Sequence, residues 1–197
     1  MTMIGPAQPA PGGKTTVPAA PGIAIQPDPD RTLKSRRQRK IELSHEASLL
    51  NKAGRTEELQ RCLEAMLEID PGDPQALYNL ALLVSQRDEK ARAERLLLRA
   101  INADPDYIDA YQALGDIFYQ ARHLLSAIET YERGLRQVPT RLPLLAGLLQ
   151  ACATMRSPNR IEGVARRILN IDDQAVGALT QLAWALMRRG GDLAEAT

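Results

Sequence analysis

The sequence predicts an all-α protein built from a repeated helical hairpin, and three observations support this. Leucine and alanine occur 28 times each, against 12 isoleucines, 5 valines and 7 aromatic residues, a balance that favours helices over strands. Pro71, Pro105 and Pro139 lie 34 residues apart. Between these prolines the apolar residues recur at helical spacing, and the same phase returns in each period. Units of this kind stack into a solenoid, in which each unit buries its apolar side against the next.

Residues 1–39 are predicted to form a disordered tail that ends in a basic segment. Residues 1–30 hold seven of the 13 prolines and four of the 13 glycines, a composition that disfavours regular structure. Two P-x-x-P spacings are typical of ligands for aromatic grooves, but no basic residues flank them, so an inert tether is expected. Residues 31–40 carry six basic residues and no acidic one. Because no aromatic residue is interleaved with them, a solvated charged lead-in to the first helix is favoured over a phosphate-binding segment or a localisation signal.

Residues 40–197 are predicted to form the repeat domain. In the period that begins at Pro74, apolar residues recur at i, i+3, i+4 and i+7 from Leu77, and a second stripe begins at Ala93 after a polar stretch. The small residue Ala81 lets the two helices approach closely, and Pro105 ends the second helix. Each period is therefore a helical hairpin. The predicted units are 40–73, 74–107, 108–141, 142–175 and a partial unit at 176–197.

Two of these units resemble the tetratricopeptide repeat (TPR) family. The unit at 108–141 carries the residue types of the family at eight positions, which are Tyr111, Leu114, Gly115, Phe118, Ala127, Tyr131, Gly134 and Pro139. The unit at 74–107 follows the same pattern. The resemblance implies a right-handed α-solenoid of stacked 34-residue helix-turn-helix repeats.

The other units depart from the family pattern. Glu46 replaces the usual leucine of the first unit, while in the fourth unit Leu149 replaces the small residue and Asp173 the proline. The partial unit matches the family pattern from Leu179 onward. We expect its chain to turn at RRGG and to stop inside its second helix. A terminal repeat without a polar cap leaves its apolar stripe uncovered, so we expect a longer protein or, as the alternative, self-association through this end.

The charge balance and the N-terminal sequence limit the partners and the compartment. Twenty-five basic and 24 acidic residues leave a net charge of +1, which gives no electrostatic case for nucleic acid or a membrane as a partner. The N-terminus lacks the pattern of a secretory signal, and no stretch approaches the ~18 apolar residues of a membrane-spanning helix. Two cysteines are too few for a disulfide framework. These features predict a cytoplasmic protein in a reducing compartment.

No arrangement of residues predicts an enzyme. The sequence contains none of the motifs G-x-G-x-x-G, G-x-x-x-x-G-K, H-E-x-x-H and G-x-S-x-G. His45 and His123 lie in different units without a second ligand at helical spacing, so no metal site is predicted. Cys62 and Cys152 are expected to be packed, unreactive thiols. We therefore expect neither catalytic residues nor a cofactor.

The TPR resemblance implies a concave groove lined by the first helix of each unit. The family's ligand-contact positions fall here on uncharged, amide and acidic residues, with two tyrosines and the only tryptophan. Tyrosine and tryptophan offer contact area at low entropic cost, and amides can bond a peptide backbone. The predicted protein-binding residues are Tyr78, Asn79, Leu82, Asp109, Gln112, Asp116, Tyr119, Gln150 and Trp184. The two aspartates favour a neutral or basic partner segment.

Together these expectations predict a protein–protein interaction scaffold or adaptor, which binds a peptide or helical segment of a partner in the groove. It does not match the TPR subfamily that clamps carboxylates, because Ser44, Ser48, Pro143 and Gly147 stand where that subfamily has lysine, asparagine and arginine. The asparagine ladder of TPR-bearing sugar transferases is also incomplete, since only Asn79 matches. Two alternatives stay open: the substrate-recruiting N-terminal module of a longer glycosyltransferase, methyltransferase or sulfotransferase, and a TPR-type secretion chaperone.

Overall fold

A computed structural model describes the backbone of residues 29–195 and the side chains of residues 33–188. This part of the chain consists of nine α-helices and contains no β-strand. The finding confirms the predicted all-α class. The helices are α1 (Pro29–Lys52), α2 (Thr56–Ile69), α3 (Pro74–Gln86), α4 (Lys90–Ala103), α5 (Ile108–Gln120), α6 (Leu124–Gln137), α7 (Leu142–Thr154), α8 (Pro158–Leu169) and α9 (Val176–Glu195).

The helices pack as a row of hairpins. The first helix of each hairpin packs with the second, and each second helix then packs against the first helix of the following unit. Along the row, α5 also contacts the first helices on either side of it, α3 and α7. A single apolar core runs from Leu43 to Ala185. This is the stacked helical repeat that the 34-residue period predicts.

The turn inside each hairpin has the same backbone conformation. Gly54, Asp88, Arg122 and Arg156 lie 34 residues apart, and their φ angles are 69°, 62°, 62° and 53°. Glycine adopts this left-handed region without steric cost, whereas a side chain at the same φ costs about 1–2 kcal/mol. The sequence period therefore recurs in the backbone, and three of the four turns carry a strained residue.

The junctions between units repeat as well. The Nη2 of Arg99 donates a hydrogen bond of 2.9 Å to the carbonyl of Pro71, and the Nη2 of Arg167 donates one of 3.0 Å to the carbonyl of Pro139. Each arginine lies 28 residues after its proline. The second helix of one unit is thus tied to the end of the preceding unit.

Tyr131 of α6 lies between glycines of two first helices. A Cβ atom at Gly115 would lie 2.4 Å from the Cε1 of this ring, and one at Gly147 would lie 2.7 Å from its Cζ. The ring is 1% exposed. No side chain larger than glycine fits at either position without movement of the ring, so α5, α6 and α7 meet here at close range.

The N-terminal end differs from the sequence prediction. Helix α1 begins at Pro29, so the basic segment 31–40 lies on this helix and not in a disordered tail. Arginine, lysine, glutamine and leucine are good helix formers, and no proline interrupts the chain between Pro29 and Pro71, which explains the earlier start. Residues 1–28, the remainder of the predicted tail, lie outside the described residues.

The C-terminal end differs too. Helix α9 continues to Glu195 without the turn expected at Gly190 and Gly191. Glycine keeps its backbone N–H group, so a glycine pair permits a helix at an entropic cost as well as a turn. None of the helices in the described range is both long and apolar enough to cross a membrane.

Candidate functional site

The first helices line a row of cavities, and we call this face of the stack the groove. A cavity of about 470 Å³ lies between α1, α2 and α3, and one of about 250 Å³ lies between α3, α4 and α5. Farther along, a cavity of about 560 Å³ involves α7, α8 and α9, and another of about 350 Å³ lies between α7 and α9. Each of these cavities lies between the first helices of two successive units.

The cavity between α3, α4 and α5, called here the central cavity, brings together five of the nine predicted binding residues. They are Tyr78, Leu82, Asp109, Gln112 and Asp116. Two of them come from α3 and three from α5, because positions one helical turn apart on adjacent first helices face the same recess. Two carboxylates, an amide, a phenol and an apolar side chain therefore share one small volume.

Three of the remaining predicted residues lie in other cavities. Asn79 lines the cavity between α1, α2 and α3. Gln150 lines the one that involves α7, α8 and α9, and Trp184 the one between α7 and α9. The predicted set is therefore spread along the groove, with its densest part at the central cavity.

Asp116 is fixed by a tyrosine from the other side of the stack. The hydroxyl of Tyr131 donates a hydrogen bond of 2.6 Å to the Oδ1 of Asp116. Partial burial raises the pKa of the Asp116 carboxyl, and the hydrogen bond from Tyr131 opposes that rise. Burial and the contact with Asp116 raise the pKa of the Tyr131 hydroxyl, which keeps it protonated as a donor. The carboxylate is thereby held in one orientation beside the central cavity.

Asp109 carries the second carboxylate of the central cavity. Its Oδ1 accepts a hydrogen bond of 2.7 Å from the Nη2 of Arg141, and the two side chains are 48% and 45% exposed. An ion pair this exposed contributes only about 0–1 kcal/mol. A cation from a partner could therefore join or displace Arg141 at little energetic cost.

Two tyrosines form an aromatic wall beside these carboxylates. The rings of Tyr78 and Tyr107 meet edge to face, with centroids 5.5 Å apart and an interplanar angle of 67°. Burial, with smaller contributions from Asp109 and Asp116, raises the pKa of Tyr78. Burial, with Asp109 as the next contributor, raises the pKa of Tyr107 to about 12. Both phenols are therefore neutral at physiological pH and can act as hydrogen-bond donors.

Tyr119, the remaining predicted residue, links two units. Its hydroxyl lies 3.1 Å from the Oγ1 of Thr154. The single hydroxyl hydrogen of Thr154 goes to the carbonyl of Gln150 at 2.9 Å, so Tyr119 is the donor of the pair. The half-buried ring packs against the core. Tyr119 thus joins α5 to α7 and does not line the central cavity.

Sequence reasoning missed two contributors to the groove. Tyr107 ends the unit 74–107, in the turn before α5, where the TPR pattern does not place a ligand contact. Tyr131 matches the TPR pattern in sequence but is not among the predicted binding residues; its ring is buried, and its hydroxyl reaches Asp116. The glycines at 115 and 147 were the available signal, since two facing positions without a side chain indicate that something large lies between them.

Reactive chemistry is not evident in the described part of the chain. Cys62 and Cys152 are 4% and 1% exposed, and burial raises the pKa of both thiols. The Sγ of Cys62 lies 3.2 Å from the carbonyl oxygen of Leu43, to which it donates. Among residues 33–188, no three histidine, cysteine, aspartate or glutamate side chains form a group that could hold a metal ion.

Comparison with known proteins identifies the repeat. A family profile for the tetratricopeptide repeat matches residues 50–117, which run from the end of α1 into α5. Residues 50–117 therefore match the tetratricopeptide repeat in sequence. No curated protein matches the chain in sequence.

Solved structures agree on the fold. MamA from Desulfovibrio magneticus RS-1 is 14% identical, with a TM-score of 0.66 over 77% of this chain and 86% of its own. YrrB, described as a TPR protein with an unusual peptide-binding site, is 13% identical, with a TM-score of 0.66 over 82% and 83%. The first TPR of Spaghetti (RPAP3), bound to the HSP90 peptide SRMEEVD, is 23% identical, with a TM-score of 0.56 over 61% and 98%. Identities this low support a shared TPR fold alone.

Proposed function

We propose that this TPR protein is a non-catalytic scaffold that binds a neutral to basic peptide or helical segment of a partner protein in the groove. The observation that carries the proposal is the central cavity, where two carboxylates lie beside an aromatic wall. The fold supports it as well, because two proteins of similar fold, YrrB and RPAP3, are described with a peptide-binding site or a bound peptide.

The charge of the central cavity favours a cationic side chain on the partner. Asp116 is oriented by Tyr131 before any partner arrives, which lowers the side-chain entropy lost there on binding. Asp109 has only a weak internal ion pair, as argued above. A lysine or arginine inserted between them would also lie beside Tyr78, whose ring face attracts cations.

The polar character of the neighbouring positions suits a peptide backbone. Gln112 lines the central cavity, and Asn79 and Gln75 line the adjoining cavity toward α1. Amide side chains offer both donors and acceptors to an extended chain. Leu82 borders both cavities and is 37% exposed, which provides an apolar contact between them.

The peptide bound by RPAP3 helps to define which peptide charge the groove of this chain should prefer. The peptide SRMEEVD in that complex carries two glutamates and an aspartate. In the present chain the residues of the groove include Asp109 and Asp116, and serines stand at positions 44 and 48 of α1. Like charges would face each other if this chain took such a peptide, so we infer the opposite charge preference.

A peptide array tests this preference. The fluorescently labelled chain of residues 1–197 is applied to immobilised peptides that vary in net charge, with SRMEEVD as the acidic reference. We expect the basic peptides to bind most tightly and the acidic reference not to bind, with an affinity for basic peptides that falls as salt is raised. The double variant Asp109→Asn, Asp116→Asn should lose on the order of tenfold in affinity for basic peptides, equivalent to about 1.4 kcal/mol.

The matched control is the double variant Glu129→Gln, Glu132→Gln, which removes two carboxylates at exposed positions of α6, outside the groove. It should leave binding unchanged apart from a small effect of net charge. Binding that is strongest for acidic peptides would refute the proposed polarity. Equal losses in the groove variant and the control would show that the net charge of the chain, and not the central cavity, selects the peptides.

A further inference from the structure

The cavity of about 560 Å³ that involves α7, α8 and α9 has an apolar lining, and we call it the apolar cavity. It reaches the buried side chains of Leu149, Ile168 and Ala178. Two amides, Gln150 and Gln181, line it as well, and none of its lining residues carries a charge. Its chemistry therefore differs from that of the central cavity, which holds two carboxylates.

The apolar cavity and the central cavity occupy equivalent places in the repeat, two periods apart. Positions 78, 81, 82, 85, 109 and 113 of the central cavity correspond to positions 146, 149, 150, 153, 177 and 181 of the apolar cavity. The central cavity lies in the middle of the stack, with further helices on either side of it, and it is open to the groove. The recess therefore belongs to the repeat, and the position of α9 in the last unit does not create it.

The aromatic wall of the central cavity has no counterpart in the apolar cavity. Ala146 stands at the position equivalent to Tyr78, and Ala175 at the position equivalent to Tyr107. The loss of two rings leaves space that the central cavity does not have, which agrees with volumes of about 560 Å³ and about 250 Å³.

The two carboxylates have no counterpart either. Gly177 corresponds to Asp109, and Trp184, which lines the neighbouring cavity, corresponds to Asp116. A Cβ atom at Gly177 would have no heavy atom within 4 Å, so packing does not require a glycine there. Without these charges the recess favours an apolar group over a cation.

We propose that the apolar cavity receives one large apolar side chain, such as leucine, methionine or phenylalanine, from the same partner segment whose cation lies in the central cavity. This inference rests on the proposed function and extends it from a charge preference to a two-residue motif. A side chain that fills the recess removes apolar surface from water on both partners. Gln150 is exposed and Gln181 is partly exposed, so their amides can bond the peptide backbone beside it.

The neighbouring cavity between α7 and α9 indicates which recess takes which side chain. Arg156 and Arg188 both line it, and the guanidinium carbon of Arg188 lies 5.9 Å from the centre of the Trp184 ring. Two cations beside the apolar cavity disfavour a lysine or arginine of the partner there, whereas the carboxylates of the central cavity favour one. The basic and the apolar side chains therefore enter different cavities.

The repeat also sets the spacing of the two side chains along the partner. The cavities are two units apart, and packed helices lie about 10 Å from each other, so the cavities are separated by about 20 Å. An extended chain advances about 3.3 Å per residue. An extended partner should therefore carry its apolar residue about six residues from its basic residue.

Fluorescence anisotropy with synthetic peptides tests the proposal on the chain of residues 1–197. Each probe carries one arginine and one leucine in a background of serine and alanine, with spacings from about two to about ten residues and in both orders. We expect the affinity to be highest near a spacing of about six. At that spacing, leucine should improve binding on the order of tenfold over the same peptide with serine in its place.

Variants that restore residues of the central cavity test the location. Ala146→Tyr should abolish the gain from leucine, because the ring fills the recess. The matched control is Ala91→Tyr, at an exposed position of α4 that lines neither cavity, and it should keep the gain. Gly177→Asp should reverse the preference, so that a peptide with a second arginine in place of leucine binds more tightly. All three positions are exposed, and circular dichroism checks that each variant folds.

Three results would overturn the inference and leave the proposed function intact, provided that Asp109→Asn, Asp116→Asn still weakens the binding of the arginine peptides. Leucine could add nothing to the affinity, or add the same amount at every spacing. The gain could also survive Ala146→Tyr, which would place leucine outside the apolar cavity. Failure of the proposed function has a different signature, because the double aspartate variant would then bind the arginine peptides as well as the wild type does.

Discussion

The repeat at 108–141 and helix α9 place matching sequence positions in opposite environments. In the repeat, Tyr111 is 3% exposed because α6 packs over it. In α9 the equivalent Leu179 is 46% exposed, and Leu186 is 44% exposed where Phe118 of α5 packs against the core. The two helices have the same apolar pattern and differ in whether the described residues include a second helix that packs over it.

This difference shows that the residue type at a repeat position does not by itself determine whether its side chain is buried. The pattern of small and large residues gives a first helix a surface that fits a second helix. These residues are buried only where a second helix packs against that surface. The groove side is accessible on both helices, since Asp116 on α5 and Trp184 on α9 both line groove cavities. Stability should therefore be more sensitive to substitution in the middle of the stack than at its end.

The largest expected effect comes from removing the ring that joins α5, α6 and α7. Tyr131→Ala should lower the free energy of unfolding by about 3–5 kcal/mol, because a ring that is 1% exposed leaves a cavity behind. Asp116 would also lose its hydrogen bond. The matched substitution at the end of the stack, Trp184→Ala, should cost clearly less because this ring is only half-buried. Urea unfolding followed by circular dichroism measures both, and equal costs would contradict the distinction between middle and end.

The next effect tests the close approach of helices directly. Gly115→Ala should destabilise the protein by about 1–3 kcal/mol, because its Cβ would lie 2.4 Å from the Tyr131 ring and force it to move. A free helix would be stabilised by the same change, so the sign of the effect is diagnostic. At the equivalent position of α9, Ala183→Leu should change the unfolding free energy of the monomer by less than about 0.5 kcal/mol. Denaturation at low protein concentration makes the comparison, and a stable Gly115→Ala protein would show that the ring has room.

Much of this architecture follows from the sequence, because the information is periodic. The spacing of Pro71, Pro105 and Pro139 and the apolar stripes between them predict the hairpins whose helices are found between residues 56 and 169. The repeat period does not predict where the first and last helices begin and end, because each of these units has a neighbouring unit on one side only. The start of α1 at Pro29 and its passage through the basic segment depend on local helix propensity, which no proline or glycine interrupts there.

The candidate site is less predictable, for a different physical reason. Helical spacing places Tyr78, Asp109 and Asp116 on one face, and these residues do meet in the central cavity. Spacing along one helix does not reveal a contact that crosses the stack, such as the one from Tyr131 to Asp116. Nor does it reveal that Tyr119 uses its hydroxyl to join α5 to α7. Such contacts depend on how far a side chain reaches across the stack and on whether the positions that it passes lack side chains.

The smallest effect concerns the turns, where the first hairpin differs from those that follow. Gly54 has a φ of 69°, while Asp88 and Arg122 both adopt a φ of 62°. Arg122→Gly should stabilise the protein by up to about 1 kcal/mol, since relief of left-handed strain exceeds the entropy that glycine adds to the unfolded chain. Asp88→Gly should gain less because aspartate tolerates this region, and Gly54→Ala should lose about 1 kcal/mol. Thermal unfolding of the three variants gives the order directly, and a destabilised Arg122→Gly protein would show that its side chain contributes contacts that outweigh the strain.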